Sequence, residues 1–105
     1  MQKTTNETLT VVKKSVAKQL KYPSKWNVVF WNDDVTPMGF VTYVLSEVFK
    51  HEKAIAFDLM MKIHNEGKAP VGSYIKSIAE SKMIIAKSMA EKAGYPLKVT
   101  IEKEI

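Results

Sequence analysis

Asn32, Asp33 and Asp34 set an amide and two carboxylates in succession, between an apolar run and what reads as the start of a helix. An ordinary turn needs one such side chain, often with a glycine. A cluster of oxygen acceptors suits a cation, or a group carrying several N–H donors. The plain alternative is a turn whose acids complement the positive end of the next helix. It accounts for one acid more readily than for two beside an asparagine, and the residues alone leave both readings open. His64 has a similar choice: in the last turn of a helix it can interact with the helix C-terminus, or it can offer a ring nitrogen as acceptor. Catalysis finds little footing. There is no glycine-rich phosphate loop, nucleophile elbow or HExxH motif. His51 and His64 lie thirteen positions apart, too far to share a turn. Neighbouring carboxylates point in different directions in most backbones, and a calcium loop needs alternating ligands around a central glycine. With no cysteine there is neither a thiolate metal site nor a cysteine nucleophile. No catalytic residue, metal site or cofactor is expected.

The elements that must hold these residues follow from periodicity. Residues 25–31, KWNVVFW, are aromatic and β-branched and read as a strand. After the acidic loop, Thr36 offers a capping hydroxyl and Pro37 suits the first helical position. Phe40, Val41, Val44, Leu45, Val48 and Phe49 then recur at helical spacing to about Lys50. A second helix is expected from near Glu52 to Glu66, with Ile55, Leu59 and Ile63 on its inner face and Gly67 as its stop. Residues 68–75 read as a strand that Pro70 confines to a sheet edge. Residues 76–94 read as a third helix, with Ile78, Ile85 and Met89 facing inward and Gly94 ending it. Leu97, Val99 and Ile101 alternate with Lys98, Thr100 and Glu102 in a last, half-buried strand. The order β-α-α-β-α-β predicts a single α+β domain with three helices packed on a three-stranded antiparallel sheet.

The chain of 105 residues is 46% hydrophobic and is long enough to bury a core without staples. No apolar run approaches a membrane span. Its formal charge of +5 is unevenly placed. Residues 1–25 hold six lysines against Glu7 alone, while residues 26–105 hold ten lysines and ten acids. Residues 1–24 are therefore expected to be a flexible basic extension on a core domain of residues 25–105. Leu9, Val12, Val16 and Leu20 give the extension a weak amphipathic pattern that a partner could fold. All 16 basic residues are lysine, so the planar, bidentate fork with which arginine reads bases is missing. The opening residues lack a secretory apolar core and the arginines of a transit peptide, and a cytoplasmic protein is expected.

NDDVTPMGFVTYVL, followed by LMMKIHNEGKA, an AESK helix and a terminal YPLKVTIEK, closely resembles the ClpS family of bacterial Clp protease adaptors. The likeness runs over about residues 25–104, in the family's order and spacing. It implies a non-enzymatic protein that binds the N-terminal residue of a substrate protein and delivers it to the AAA+ unfoldase ClpA, for degradation by ClpP. The motif implies that Asn32 and His64 accept hydrogen bonds from the substrate's α-amine. Asp33 would assist through its charge or a bridging water, with Asp34 in the same loop. It assigns the first side chain, Leu, Phe, Trp or Tyr, to a pocket of Met38, Val41, Met60, Ile63 and Leu97, with Thr36 and Pro37 shaping the rim. In the resemblance Met38 is the gate against β-branched residues.

Several positions depart from the family pattern. Val35 stands where a larger residue is usual, and Gly39 where an acid is commoner, which implies a looser rim. Lys82 matches the unfoldase-docking pattern, but the acid expected near Ser77 is absent, and Pro70 interrupts a normally apolar strand. The resemblance also gives the extension a use, as the segment that engages the unfoldase. Neither nucleic acid nor membrane is an expected partner. The competing reading is a small ribosome- or RNA-associated module that binds through the lysine-rich extension.

Overall fold

The computed structural model describes residues 24–104. The extension foreseen over residues 1–24 lies, but for Ser24, outside the described residues. The elements are β1 (Lys25–Trp31), α1 (Met38–Glu47), α2 (Lys53–Glu66), β2 (Lys68–Ile75), α3 (Lys76–Ala93) and β3 (Lys98–Lys103). The order is the expected one. All three strands form one antiparallel sheet in the order β2-β1-β3.

The strand richest in β-branched and aromatic residues takes the centre, where both edges are paired. Val28 and Phe30 point from β1 into the core and are fully buried. They meet Val44 and Leu45 of α1, Ala56, Met60 and Ile63 of α2, and Ala79, Ala86 and Ala90 of α3 in one apolar cluster. β2 is an edge strand, as Pro70 requires. Its register slips where Val28 pairs with Gly72 but Val29 pairs with Pro70, so Val71 is the extra residue of a bulge. The Nε2–H of His51 donates to the Val71 carbonyl at 2.6 Å, which gives the bulged residue a partner and ties the α1–α2 loop to the sheet edge.

Three expectations are corrected. The buried stripe of α3 is Ala79, Ala86 and Ala90, one position round from Ile78, Ile85 and Met89. Ile78 and Ile85 are 43% and 50% exposed, while Met89 packs at the edge of the core. α3 lies across all three strands, and small side chains let a helix approach a sheet closely where isoleucine would hold it off. The inner face of α2 turns the same way: Ala56 and Met60 join Ile63 in the core, Ile55 is exposed and Leu59 is half-buried. Finally, α1 begins at Met38 with Pro37 as its extended cap residue, and Thr36 makes no side-chain cap. α1 also stops at Glu47, with Val48 as its C-cap, and the chain turns through Lys50 at φ 59°. Gly67 and Gly94 end α2 and α3 in the left-handed conformation, as their positions foretold.

Candidate functional site

The acidic loop leaves the central strand directly. Trp31 anchors its start: the indole N–H donates to the Thr100 hydroxyl at 2.9 Å, and the Lys68 and Lys98 ammoniums lie 4.4 and 4.3 Å from the ring centre. The next backbone N–H, of Asn32, donates to the carbonyl of Gly67 at 2.8 Å. Gly67 is the residue that closes α2, and its own N–H returns to Ile63. The first loop residue is thereby brought beside the helical turn that carries His64. Asn32 and His64 are both exposed there.

Asp33 makes a different contribution from its neighbours. Its Oδ1 accepts the backbone N–H groups of Val35 at 2.8 Å and Thr36 at 2.6 Å, and its Oδ2 accepts the Thr36 hydroxyl at 2.8 Å. This carboxylate braces the loop from inside. Burial pushes its pKa up, but the bonds from Thr36 and Val35 outweigh that and hold the carboxyl below its ordinary range. The Thr36 hydroxyl is engaged here and not at the helix end. The Pro37 carbonyl accepts the N–H groups of Phe40 and Val41 at 3.1 and 3.2 Å, so backbone geometry alone starts α1. Asp34 and Val35 are exposed at the loop's outer edge.

The residues assigned to a side-chain pocket come from three places in the chain. Val41, Met60, Ile63 and Leu97 are buried in the same apolar cluster. The Phe40 ring packs edge-on against Tyr95, 4.9 Å between centroids, which holds the segment leading to Leu97 against the first turn of α1. Met38 is 43% exposed, and Pro37 is exposed beside it. Four candidate lining residues thus belong to the core, while Met38 lies at the surface.

Lys82 is half-buried. Its ammonium donates to the carbonyl of Val48 at 2.9 Å, satisfying the end of α1, and lies 5.8 and 5.4 Å from the Phe49 and Tyr74 rings. Ser77 is exposed one turn earlier, and its carbonyl accepts the Ser81 hydroxyl. Among the described residues no group of three or more His, Cys, Asp or Glu side chains could hold a metal ion, and no helix is long and apolar enough to cross a membrane.

One feature has no counterpart in the sequence reading. An open groove of about 540 Å³ runs between α1 and α2, lined by Gly39, Thr42, Tyr43, Ala56 and Phe57, with Ser46, Glu47 and Lys53 towards its far end. It shares no residue with the pocket inferred from the motif.

Comparison with known proteins places the chain in a family. Residues 21–100 match the family model "ATP-dependent Clp protease adaptor protein ClpS". A ClpS adapter protein of Leptothrix cholodnii is 38% identical over 92 residues, 88% of this chain and 80% of that protein. One from Burkholderia cenocepacia is 41% identical over 85 residues, 81% and 82% of the two chains. The solved structure of Agrobacterium tumefaciens ClpS2 bound to L-phenylalaninamide matches at 38% identity and a TM-score of 0.77, covering 79% of this chain and all of that one. The chain belongs to the ClpS family of Clp protease adaptor proteins.

Proposed function

We propose that this adaptor binds the free N-terminal residue of proteins that begin with Leu, Phe, Trp or Tyr, and passes them to a ClpA-type AAA+ unfoldase. The observation that carries the reading is the Asn32–Gly67 backbone bond, which favours a joint site for Asn32 and His64. An α-ammonium entering such a site loses water, at a cost of several kcal/mol unless fixed acceptors replace it. Asn32 offers its amide oxygen and neutral His64 a ring nitrogen. The Asp33 carboxylate, already ionised and anchored, adds negative charge without having to move, and Asp34 lies in the same loop.

The first side chain enters beneath Met38, towards Val41, Met60, Ile63 and Leu97, with Thr36 and Pro37 at the rim. Those four are buried in one apolar cluster, so rotation of Met60, and of Met38 at the surface, would open the space. Burying a Leu or Phe contributes only about 1.5–3 kcal/mol, and the paired amine supplies the remainder. The L-phenylalaninamide held by the Agrobacterium relative has these two groups and little else, which supports the same division here. Lys82 contributes to unfoldase docking in this reading, from a position where it also ends α1.

The test is a titration with two Phe-first peptides, one free and one N-acetylated. The free peptide should bind at least tenfold tighter, the equivalent of about 1.4 kcal/mol, and with little dependence on salt. Lysine–phosphate binding, in contrast, weakens steeply with salt. Equal affinity for the two peptides would end the adaptor-site reading. Delivery is read separately, as degradation of a Phe-first reporter by a ClpA-type unfoldase with ClpP, with and without the adaptor.

A further inference from the structure

Gly39 is out of place by the rules of its own helix. It sits in the first turn of α1, and in a helix glycine is disfavoured against alanine. Nothing in the fold calls for it: a Cβ built there meets no atom within 4 Å. Its backbone conformation is not left-handed. Gly39 lines the groove between α1 and α2 at the end where Met38 precedes it in the chain. Beyond Gly39 the Thr42 hydroxyl turns back to the carbonyls of Met38 and Gly39, at 3.1 and 2.9 Å, so its polar atom is satisfied within the helix. Next come two aromatic walls, Tyr43 and Phe57, each 54% exposed, over a floor of Ala56. The trough is apolar and starts beside the residue that rims the pocket for a substrate's first side chain.

From this we propose that the α1–α2 groove is a second subsite, which takes an apolar side chain from the substrate segment just behind its first residue. The subsite rests on Met38 marking the first-residue pocket, and its occupant follows from that continuity. Met38 and Tyr43 are about 7.5 Å apart along the helix axis, and an extended chain covers that distance in about two residues. The third substrate residue therefore lies against Tyr43 and Phe57. The selectivity expected is for bulky apolar residues at that position, superimposed on the preference at the first.

Three probes separate this subsite from the site before it: L-phenylalaninamide, the tetrapeptide amide Phe-Ser-Ser-Ser and the tetrapeptide amide Phe-Ser-Leu-Ser. Partial burial of the leucine should make the last bind roughly three- to tenfold tighter than the serine peptide. In Phe57→Ala, and in Gly39→Gln, which fills the mouth, that ratio should fall below about twofold on the same scale. Backbone resonances of Tyr43 and Phe57 should shift with the leucine peptide and not with the amide. A ratio of one in the unaltered protein, with the amide still bound, overturns the subsite alone. Failure of the amide to bind overturns the amine-site reading and the subsite with it. If the Tyr43 and Phe57 resonances respond instead to removal of residues 1–23, or to dilution, the groove belongs to the chain's own N-terminal segment or to a second copy, and the subsite is likewise refuted.

Discussion

Replacing Asp33 with alanine removes three hydrogen bonds at once, to the N–H groups of Val35 and Thr36 and to the Thr36 hydroxyl. Bonds to a charged group contribute about 1.5–3 kcal/mol each when water is excluded. This loop is partly wetted, and the released donors can rehydrate, so less than 1 kcal/mol per bond is reasonable and about 2 kcal/mol in all. For a domain of this size that lowers Tm by about 10 °C. Asp33→Asn keeps the oxygen that accepts both N–H groups, loses the charge and the bond at the other oxygen, and should cost about half as much.

The pH dependence gives a second, independent measure. Because the folded-state pKa is lowered, the stabilisation is fully present above the ordinary carboxylate pKa of about 3.9 and is lost as pH falls through the folded value. The unaltered protein should lose the charge-dependent part of this increment below about pH 4, and its gap to Asp33→Ala, which has no such part to lose, should narrow there. Thermal melts from pH 7 down to pH 2.5 read both effects. Binding of a Phe-first peptide should weaken more in Asp33→Ala than in Asp33→Asn, because the former unties the loop that positions Asn32. An alanine variant that melts within about 2 °C of the parent at pH 7, or that keeps a constant gap down to pH 2.5, would refute the bracing role.

Met38→Ala should admit peptides beginning with Ile or Val while keeping Phe, since the bulk next to their Cα then meets a shorter rim; unchanged rejection in peptide titrations counts against the gate. His64→Ala, which removes a ring-nitrogen acceptor, should weaken binding of a Phe-first peptide with a free amine and leave that of its N-acetylated counterpart little changed; unchanged affinity for the free peptide would remove His64 from the site. His51→Ala leaves the Val71 carbonyl of the bulge without its ring partner and should cost about 1–3 kcal/mol in chemical denaturation, with peptide affinity little changed.

The order and type of all six elements were legible because their signals are local. β-branched and aromatic residues mark β1, alternation of apolar and polar residues marks β3, and Gly67 and Gly94 stand where helices stop. Pro70 announced an edge strand, although the bulge beside it did not show. Less legible was which helical face turns inward. Large aliphatic residues were favoured over alanine on α3, whereas closeness to the sheet selects Ala79, Ala86 and Ala90. Contacts between distant residues escaped altogether. His51 meets Val71 across 20 positions, and Lys82 meets Val48 across 34, and nothing near either residue hints at its partner. The candidate site was readable only through the family motif. Spacing gave the loop, but the bond that sets Asn32 beside the end of α2 depends on how β1 and β2 pair.

Two adjacent acids now have distinguishable settings. Asp33 faces inward and shapes the loop, while Asp34 stays exposed outside it. The division matters because α1 is only ten residues long, with no side-chain cap and no acid in its first turn, and a helix that short is marginal by itself. Its ends are fixed by residues outside it: Asp33 and Thr36 shape the approach to one, while Lys82 on α3 and His51 in the following loop secure the other. Met38 and Gly39, which flank the proposed pocket and groove, occupy its first turn. The precision of that rim is thus inherited from the loop and from α3, not from the helix's own propensity. It follows that Lys82 substitutions cannot be read as docking defects unless peptide affinity is measured alongside. A change that frees the Val48 carbonyl loosens α1 at one end, and the rim at the other end would register it as weaker peptide binding, whereas a pure docking defect leaves that affinity intact and lowers only delivery.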